Sequence, residues 1–193
     1  MSDTPRLVLA SASPRRADIL RNLGVPFRTR IVEVDEALRP GEEPAAGAER
    51  LARDKATAAA ASERLPVLGA DTLVVCEGGV LGKPRSVAEA EEMLRLLSGR
   101  THEVVTGLCL SAEGTLRSRV DRTSVTFGDL TDADVAWYVG TGEPLDKAGA
   151  YHVDGRAALF ITSVCGSPSG VAGLPIRLLL ELAREARVDI GLP

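Results

Sequence analysis

The segment LASASPRR, residues 9–16, puts two arginines where a helix should resist them. Ser13 reads as an N-cap and Pro14 as the first helical residue, where its missing N–H costs nothing. Ile19, Leu20 and Leu23 continue one apolar stripe, and Gly24 supplies the stop. Arg15 and Arg16 therefore fall in the first turn, at the positive end of the helix dipole. A cation is disfavoured there by about 0.3–1 kcal/mol. A bound anion would compensate. Free helix N–H groups and two guanidinium forks, beside Ser11 and Ser13, make a pattern that can hold a phosphate. The bland alternative is that one or both arginines point to solvent.

Further charged positions carry chemistry of their own. Asp71 interrupts the apolar run VLGADTLVV, and a buried carboxylate needs a donor, a cation or a metal. With a metal nearby it could activate water; otherwise it is a hydrogen-bonded aspartate at a bulge, and Gly69 suits either. Lys55 falls on the apolar stripe of Leu51, Ala52, Ala56 and Ala59, so it either snorkels or reaches a partly buried anion. Asp35 and Glu36 follow a strand directly, and such a pair either ligates Mg²⁺ or is solvated. Lys83, in GKP, lacks the earlier glycine and the Ser/Thr of a phosphate loop and reads as a solvated turn lysine. There is no GxGxxG. The segment DKAGAY, leading to Asp154 and Gly155, has the small residues and mixed charge of functional loops, but names no reaction. His102 and His152 are the only histidines, and neither completes a Ser-His-Asp or Cys-His scheme. His152 is the one that could approach a site.

These positions need elements to hold them. Residues 6–10 read as a buried strand, 26–34 as a second strand, and 35–47 as a loop. An Ala-rich helix covers 47–64, a buried strand 67–75, a hairpin turn sits at Gly78-Gly79, and 80–84 is the return strand. A helix over 87–97 is anchored by Ala88, Met93, Leu94 and Leu97. Strands over 102–112 and 115–127 follow. A helix over 131–139 starts at Thr131, with Asp134 placed as in a capping box. After an irregular segment come a strand ALFITSV, a loop GSPSGVAG and a last helix within LPIRLLLELAREA. The order is mixed α/β, and the long adjacent strands argue against a purely parallel sheet.

The 193 residues suit a single domain over 1–193, with 45% hydrophobic and 26% charged residues. A net charge of −4 and 3% aromatics argue against a nucleic-acid partner. Cys76, Cys109 and Cys165 sit in apolar runs and read as buried thiols in a reducing compartment. No spacing suggests a closed zinc site. Arg6, LVLA and Ala10-Ser11-Ala12 imitate a signal peptide, but the apolar part is shorter than the ~7–15 residues required. No run approaches a membrane span. The expected location is cytoplasmic.

Seven stretches in order, LASASPRR, LARDKA, GADT, GKPR, LSGRTHEVVTGL, PLDKAGAY and VAGLP, resemble the Maf family of nucleoside triphosphate pyrophosphatases over nearly the whole chain. The resemblance implies a Maf/inosine-triphosphatase-like α/β fold: an elongated, curved mixed β-sheet flanked by helices, with two lobes and a central cleft. It implies hydrolysis of a nucleoside triphosphate to the monophosphate and pyrophosphate with a divalent metal, Mg²⁺ or Mn²⁺, and suggests a homodimer. Asp71 would be the general base. Ser11, Arg15, Arg16, Lys55 and Lys83 would bind phosphates, with Ser13 at the same helix start. Glu36 or Asp35, with Asp71, would hold metal. In the branch acting on dTTP and UTP, an Arg, a Thr and a Gln mark base selection. Arg15 and Thr72 match the first two, and Asp154 stands in place of Gln. An ionised carboxylate only accepts hydrogen bonds, whereas an amide also donates. dTTP and UTP are the first expectation and 7-methyl-GTP the second. Outside this class stand a non-catalytic nucleotide-binding regulator of cell division, which needs no buried Asp71, and a sugar-phosphate enzyme, which would turn over phosphomonoesters.

Overall fold

A computed structural model describes residues 4–192. Strands β1 (Leu7–Ala10), β2 (Phe27–Thr29) and β3 (Val67–Cys76) are parallel, β1 pairing with both of the others. Strand β4 (Gly79–Leu81) returns antiparallel on β3. Two long strands, β5 (Thr101–Ala112) and β6 (Thr115–Phe127), are followed by β7 (Ile161–Cys165), antiparallel to β6. The result is an open mixed sheet in the order β2-β1-β3-β5-β6-β7, with β4 beside β3. The helices are α1 (Pro14–Asn22), α2 (Pro44–Ala60), α3 (Val87–Leu97), α4 (Asp132–Gly140), the single turn α5 (Pro168–Val171) and α6 (Ile176–Ala186).

The hairpin turn between β3 and β4 is made by Glu77 and Gly78 (φ 50° and 78°), and that between β5 and β6 by Glu113 and Gly114 (φ 50° and 75°). Two successive positive φ values give the turn twist that matches paired strands, and glycine adopts them without steric cost. Gly79 is not part of the first turn, as the sequence suggested, but opens β4.

The chain divides into two compact units, with boundaries inside β3, β5 and β6. The first takes in residues up to Asp71, Thr106–Asp121 and the chain from Gly173 onward. Its core packs Leu7 and Leu9 of β1, Leu20 of α1, and Leu179 and Leu182 of α6. The second unit is Thr72–Val105 and Arg122–Ala172. There Ala90, Met93, Leu94 and Leu97 of α3 pack on Val125, Phe127 and Tyr138. His102 is buried in this core, edge-on to Phe127 and Tyr151, with Nε2 2.9 Å from the Tyr151 hydroxyl. Burial pushes its imidazole down to about 4, so it is neutral at pH 7.

Several sequence expectations shift. The strand expected over 26–34 closes after Thr29: the Arg30 N–H makes one more bond to the Leu9 carbonyl at 2.9 Å, and the residues beyond it alternate between exposed and half-buried. Helix α2 begins at Pro44, a favoured first helical residue, and shortens the expected loop. Ala88 is exposed, and Ala90 is the small anchor of α3. The strand expected at 158–164 is preceded by a 3₁₀ turn over Arg156–Leu159, so β7 starts at Ile161. The loop GSPSGVAG contains α5, capped by the Ser167 hydroxyl. Cys76 and Cys109 are buried, but Cys165 is exposed, since β7 is the edge strand after β6 and has no neighbour on its far side.

Candidate functional site

Glycine decides where the site can form. A Cβ on Gly69 of β3 would lie 2.1 Å from the Ala52 carbonyl oxygen and 2.8 Å from the Ala56 nitrogen. A Cβ on Gly107 of β5 would lie 2.2 Å from the Ala48 carbonyl oxygen. Helix α2 thus lies almost against the sheet backbone, and its facing residues, Ala48, Ala52 and Ala56, are fully buried. Lys55 sits beside Ala56 on this helix, and Asp71 two residues beyond Gly69 on its strand. Close approach carries the lysine to the carboxylate: Nζ is 2.7 Å from Asp71 Oδ1. Both residues are 8% exposed. Lys55 therefore reaches a buried anion rather than snorkelling, and Asp71 is balanced by a cation.

A second carboxylate arrives from the loop after β2. Glu36 Oε1 is 2.6 Å from the same Lys55 Nζ, although the Glu36 side chain is largely exposed. Asp35 does not join it. Its Oδ1 accepts the Ala37 N–H at 3.0 Å in a local turn, and the residue faces solvent. Of the acidic pair, Glu36 is the member at the cluster.

The third contribution is the start of α1. Arg16 is buried, its Nε donating to the Gly173 carbonyl at 2.8 Å and its Nη1 to Ser11 Oγ at 3.0 Å. Burial lowers its pKa, the Asp71 carboxylate opposes this, Arg15 adds to it, and Glu36 opposes it again. Those four influences place Arg16 in the field of both carboxylates and of Arg15. Arg15 itself is half-buried. Ser13 has the extended backbone of an N-cap, but its side chain makes no cap hydrogen bond, and its own N–H donates to Ser11 Oγ at 3.1 Å. Ser11 is thus the hinge of the segment, accepting from Ser13 and Arg16 together. The arginine-to-solvent alternative fails for Arg16.

Ser11, Ser13, Arg15, Arg16, Glu36, Lys55 and Asp71 all lie in the first unit. Thr72, Lys83 and Asp154 belong to the second. Thr72 is half-buried, whereas Lys83 and Asp154 are exposed. His152 is half-buried, with its backbone N–H on the Tyr138 hydroxyl at 3.1 Å. One feature of the site had no signal in the sequence: the Gly173 carbonyl that holds Arg16, from a residue 157 positions away. In the second unit Lys147 of the DKAGAY segment is buried, its Nζ donating to the Glu143 carbonyl at 2.8 Å.

The cluster can bind anions and manage a proton. Arg16 and Lys55 bring positive charge into a buried setting, where electrostatic interactions are strong. Asp71 is an oriented carboxylate that can accept a proton. Two carboxylates converging on one cation are also a donor set suited to a hard divalent metal. Among the described residues no third His, Cys, Asp or Glu joins them, so water and phosphate oxygens would complete the shell.

Comparison with known proteins gives the family. A family model described as Maf-like protein matches residues 6–186. A protein named dTTP/UTP pyrophosphatase from Anaeromyxobacter dehalogenans is 50% identical over 186 residues, covering 94% of each chain. One of the same name from Moorella thermoacetica is 50% identical over 192 residues, covering 96% of this chain and 97% of that one. In fold, the chain is similar to the Staphylococcus aureus Ham1 protein, with a TM-score of 0.53 and 16% identity over 93% of this chain and 98% of that one.

Proposed function

The chain belongs to the Maf family, and from that premise we propose that it hydrolyses nucleoside triphosphates to monophosphate and pyrophosphate, with dTTP and UTP preferred. The observation that carries the reading is Asp71: a buried carboxylate 2.7 Å from a buried lysine, in the field of a buried arginine at a helix N-terminus. Relatives named dTTP/UTP pyrophosphatase, 50% identical over nearly the whole chain, support it.

In this reading water attacks the α-phosphorus in line and pyrophosphate leaves. Catalysis of such transfers is chiefly positioning and charge stabilisation. Asp71 orients the water and takes its proton. Arg15, Arg16, Lys55 and Lys83 bind phosphate oxygens, and Ser11 and Ser13 add polar contacts at the start of α1. Glu36 and Asp71 would hold Mg²⁺ or Mn²⁺, while Asp35 is taken up by its local turn. When bound, that ion neutralises phosphate charge and lowers the pKa of water. Arg15, Thr72 and Asp154 read the base. Thymine and uracil present an N3–H donor, which a carboxylate accepts as well as an amide oxygen does. The chain works as one domain of 1–193, in the cytoplasm, as a homodimer. No described helix is long and apolar enough to cross a membrane.

Asp154 favours one second reading. Guanine offers two adjacent donors, N1–H and N2–H₂, that match a carboxylate, so 7-methyl-GTP is the rival substrate. Product analysis with Mg²⁺ or Mn²⁺ against dTTP, UTP, CTP, GTP, ATP and 7-methyl-GTP decides. Monophosphate plus pyrophosphate, fastest from dTTP and UTP and lost in Asp71→Asn, is expected. Binding without turnover would leave a regulator. Turnover of phosphomonoesters alone would leave a sugar-phosphate enzyme.

A further inference from the structure

We infer that Glu143 is a positioning residue that governs nucleobase choice by fixing the turn that presents Asp154. The inference rests on the proposed role of Asp154 in reading the base. The turn runs from His152 to Gly155, closed by the Gly155 N–H on the His152 carbonyl at 3.0 Å, with Asp154 exposed at its third position. Asp154 is exposed at the turn, so the direction of its carboxylate depends on what holds the turn.

Both ends of the turn are fastened to one pair of side chains. The backbone N–H of His152 donates to the Tyr138 hydroxyl at 3.1 Å. That hydroxyl donates in turn to Glu143 Oε1 at 2.9 Å. The same Oε1 accepts the Arg156 backbone N–H at 2.9 Å, and Oε2 lies 3.5 Å from Arg156 Nη1. One carboxylate therefore ties residues 152 and 156, on either side of Asp154, to helix α4. The fit is tight as well as polar. A Cβ on Gly155 would fall 2.4 Å from Glu143 Oε1 and 2.8 Å from His152 Nδ1, so a side chain there would push the carboxylate and the imidazole out of this arrangement. Tyr138 is fully buried. Burial and then the Glu143 carboxylate hold its hydroxyl protonated far above the usual phenol range, so it remains a donor at any working pH.

A residue that only stabilised the fold would lower all rates alike. A residue that aims Asp154 must change the ratio of kcat/KM between bases. The experiment measures that ratio for dTTP against GTP in wild type, Glu143→Ala, Glu143→Gln, Tyr138→Phe, Asp154→Ala and the Glu143→Ala/Asp154→Ala double variant, with thermal melts alongside. The expected result is a loss of about tenfold in the ratio for Glu143→Ala, carried by KM. Glu143→Gln, which keeps an oxygen acceptor for both donors, should retain most of the preference. The double variant should match Asp154→Ala alone. Tyr138→Phe keeps the ring in the core and removes the bridging hydroxyl; it should move the ratio the same way, and it decides the matter if Glu143→Ala does not fold. An altered ratio in Asp154→Ala with an unaltered one in folded Glu143→Ala and Tyr138→Phe overturns the inference alone. An unaltered ratio in Asp154→Ala overturns the base-reading role of Asp154, and the inference with it.

Discussion

Helix α4 begins with every feature that stabilises a helix N-terminus, and helix α1 with almost none. In α4 the Thr131 hydroxyl accepts the Asp134 N–H at 3.2 Å, and the Asp134 carboxylate accepts the Thr131 N–H at 2.8 Å. Asp132 and Asp134 place negative charge at the positive end of the dipole. In α1 the Ser13 side chain caps nothing, the first turn has no acid, and Arg15 and Arg16 bring the wrong charge. Helix length does not explain this, since both helices span nine residues. The difference lies in what each end faces. Helix α4 satisfies its own donors and serves the fold. Helix α1 has no side-chain cap, and its start instead holds Arg16, through Ser11 and Gly173, in the field of Asp71. A helix start that is poor for stability is the expected form of an anion site.

Changes at the two ends should therefore be read out differently. The largest effect belongs to the carboxylate that α1 faces: Asp71→Asn should lower kcat by about 10²–10⁴-fold in a folded protein, measured as pyrophosphate release. Arg16→Ala should cost roughly 10²–10³-fold, the size seen when one preorganised donor is lost, and unchanged kinetics would remove Arg16 from the site. Lys55→Met should cost about 3–5 kcal/mol of unfolding free energy in a denaturant melt, because it strips Asp71 of its buried partner. A loss below 1 kcal/mol would mean that Asp71 is balanced by Arg16 instead.

Smaller effects sharpen the contrast between the caps. Thr131→Ala should destabilise the fold by about 1 kcal/mol and leave turnover unchanged. Ser13→Ala should barely move the melting temperature, since no cap bond is lost. Equal shifts in both would erase the distinction. Acid should separate them too. Hydrogen bonds from Thr131 hold the Asp134 carboxyl below its ordinary value of 3.8. The stability this contributes is present above that value and is lost as pH falls through the lower, folded pKa. The stability difference between wild type and Asp134→Asn should thus vanish in strong acid, as followed by melts from neutral pH downward.

The cap of α4 was legible in the sequence because a capping box is local, as were α3, β3 and the long β5–β6 pair. The oddity of Arg15 and Arg16 was legible for the same reason. What Arg16 holds was not: the Gly173 carbonyl comes from the far end of the chain. Lys55 and Asp71 each stand out in the sequence as charges on apolar faces, but only Gly69 and Gly107, by letting α2 approach the sheet, decide that the two meet. Asp35 and Glu36 could not be told apart by spacing, because the choice depends on a local turn that occupies Asp35. Glu143 carries no signal in the sequence, since its partners Tyr138 and Arg156 look ordinary alone.

The central claim is that the cluster around Asp71 directs water at the α-phosphorus of a nucleoside triphosphate. Turnover of dTTP in ¹⁸O-labelled water, with products separated and weighed by mass spectrometry, tests it most directly. The account predicts one ¹⁸O in the thymidine monophosphate and none in the pyrophosphate. Label in pyrophosphate, or release of labelled inorganic phosphate, would place the attack elsewhere and contradict it.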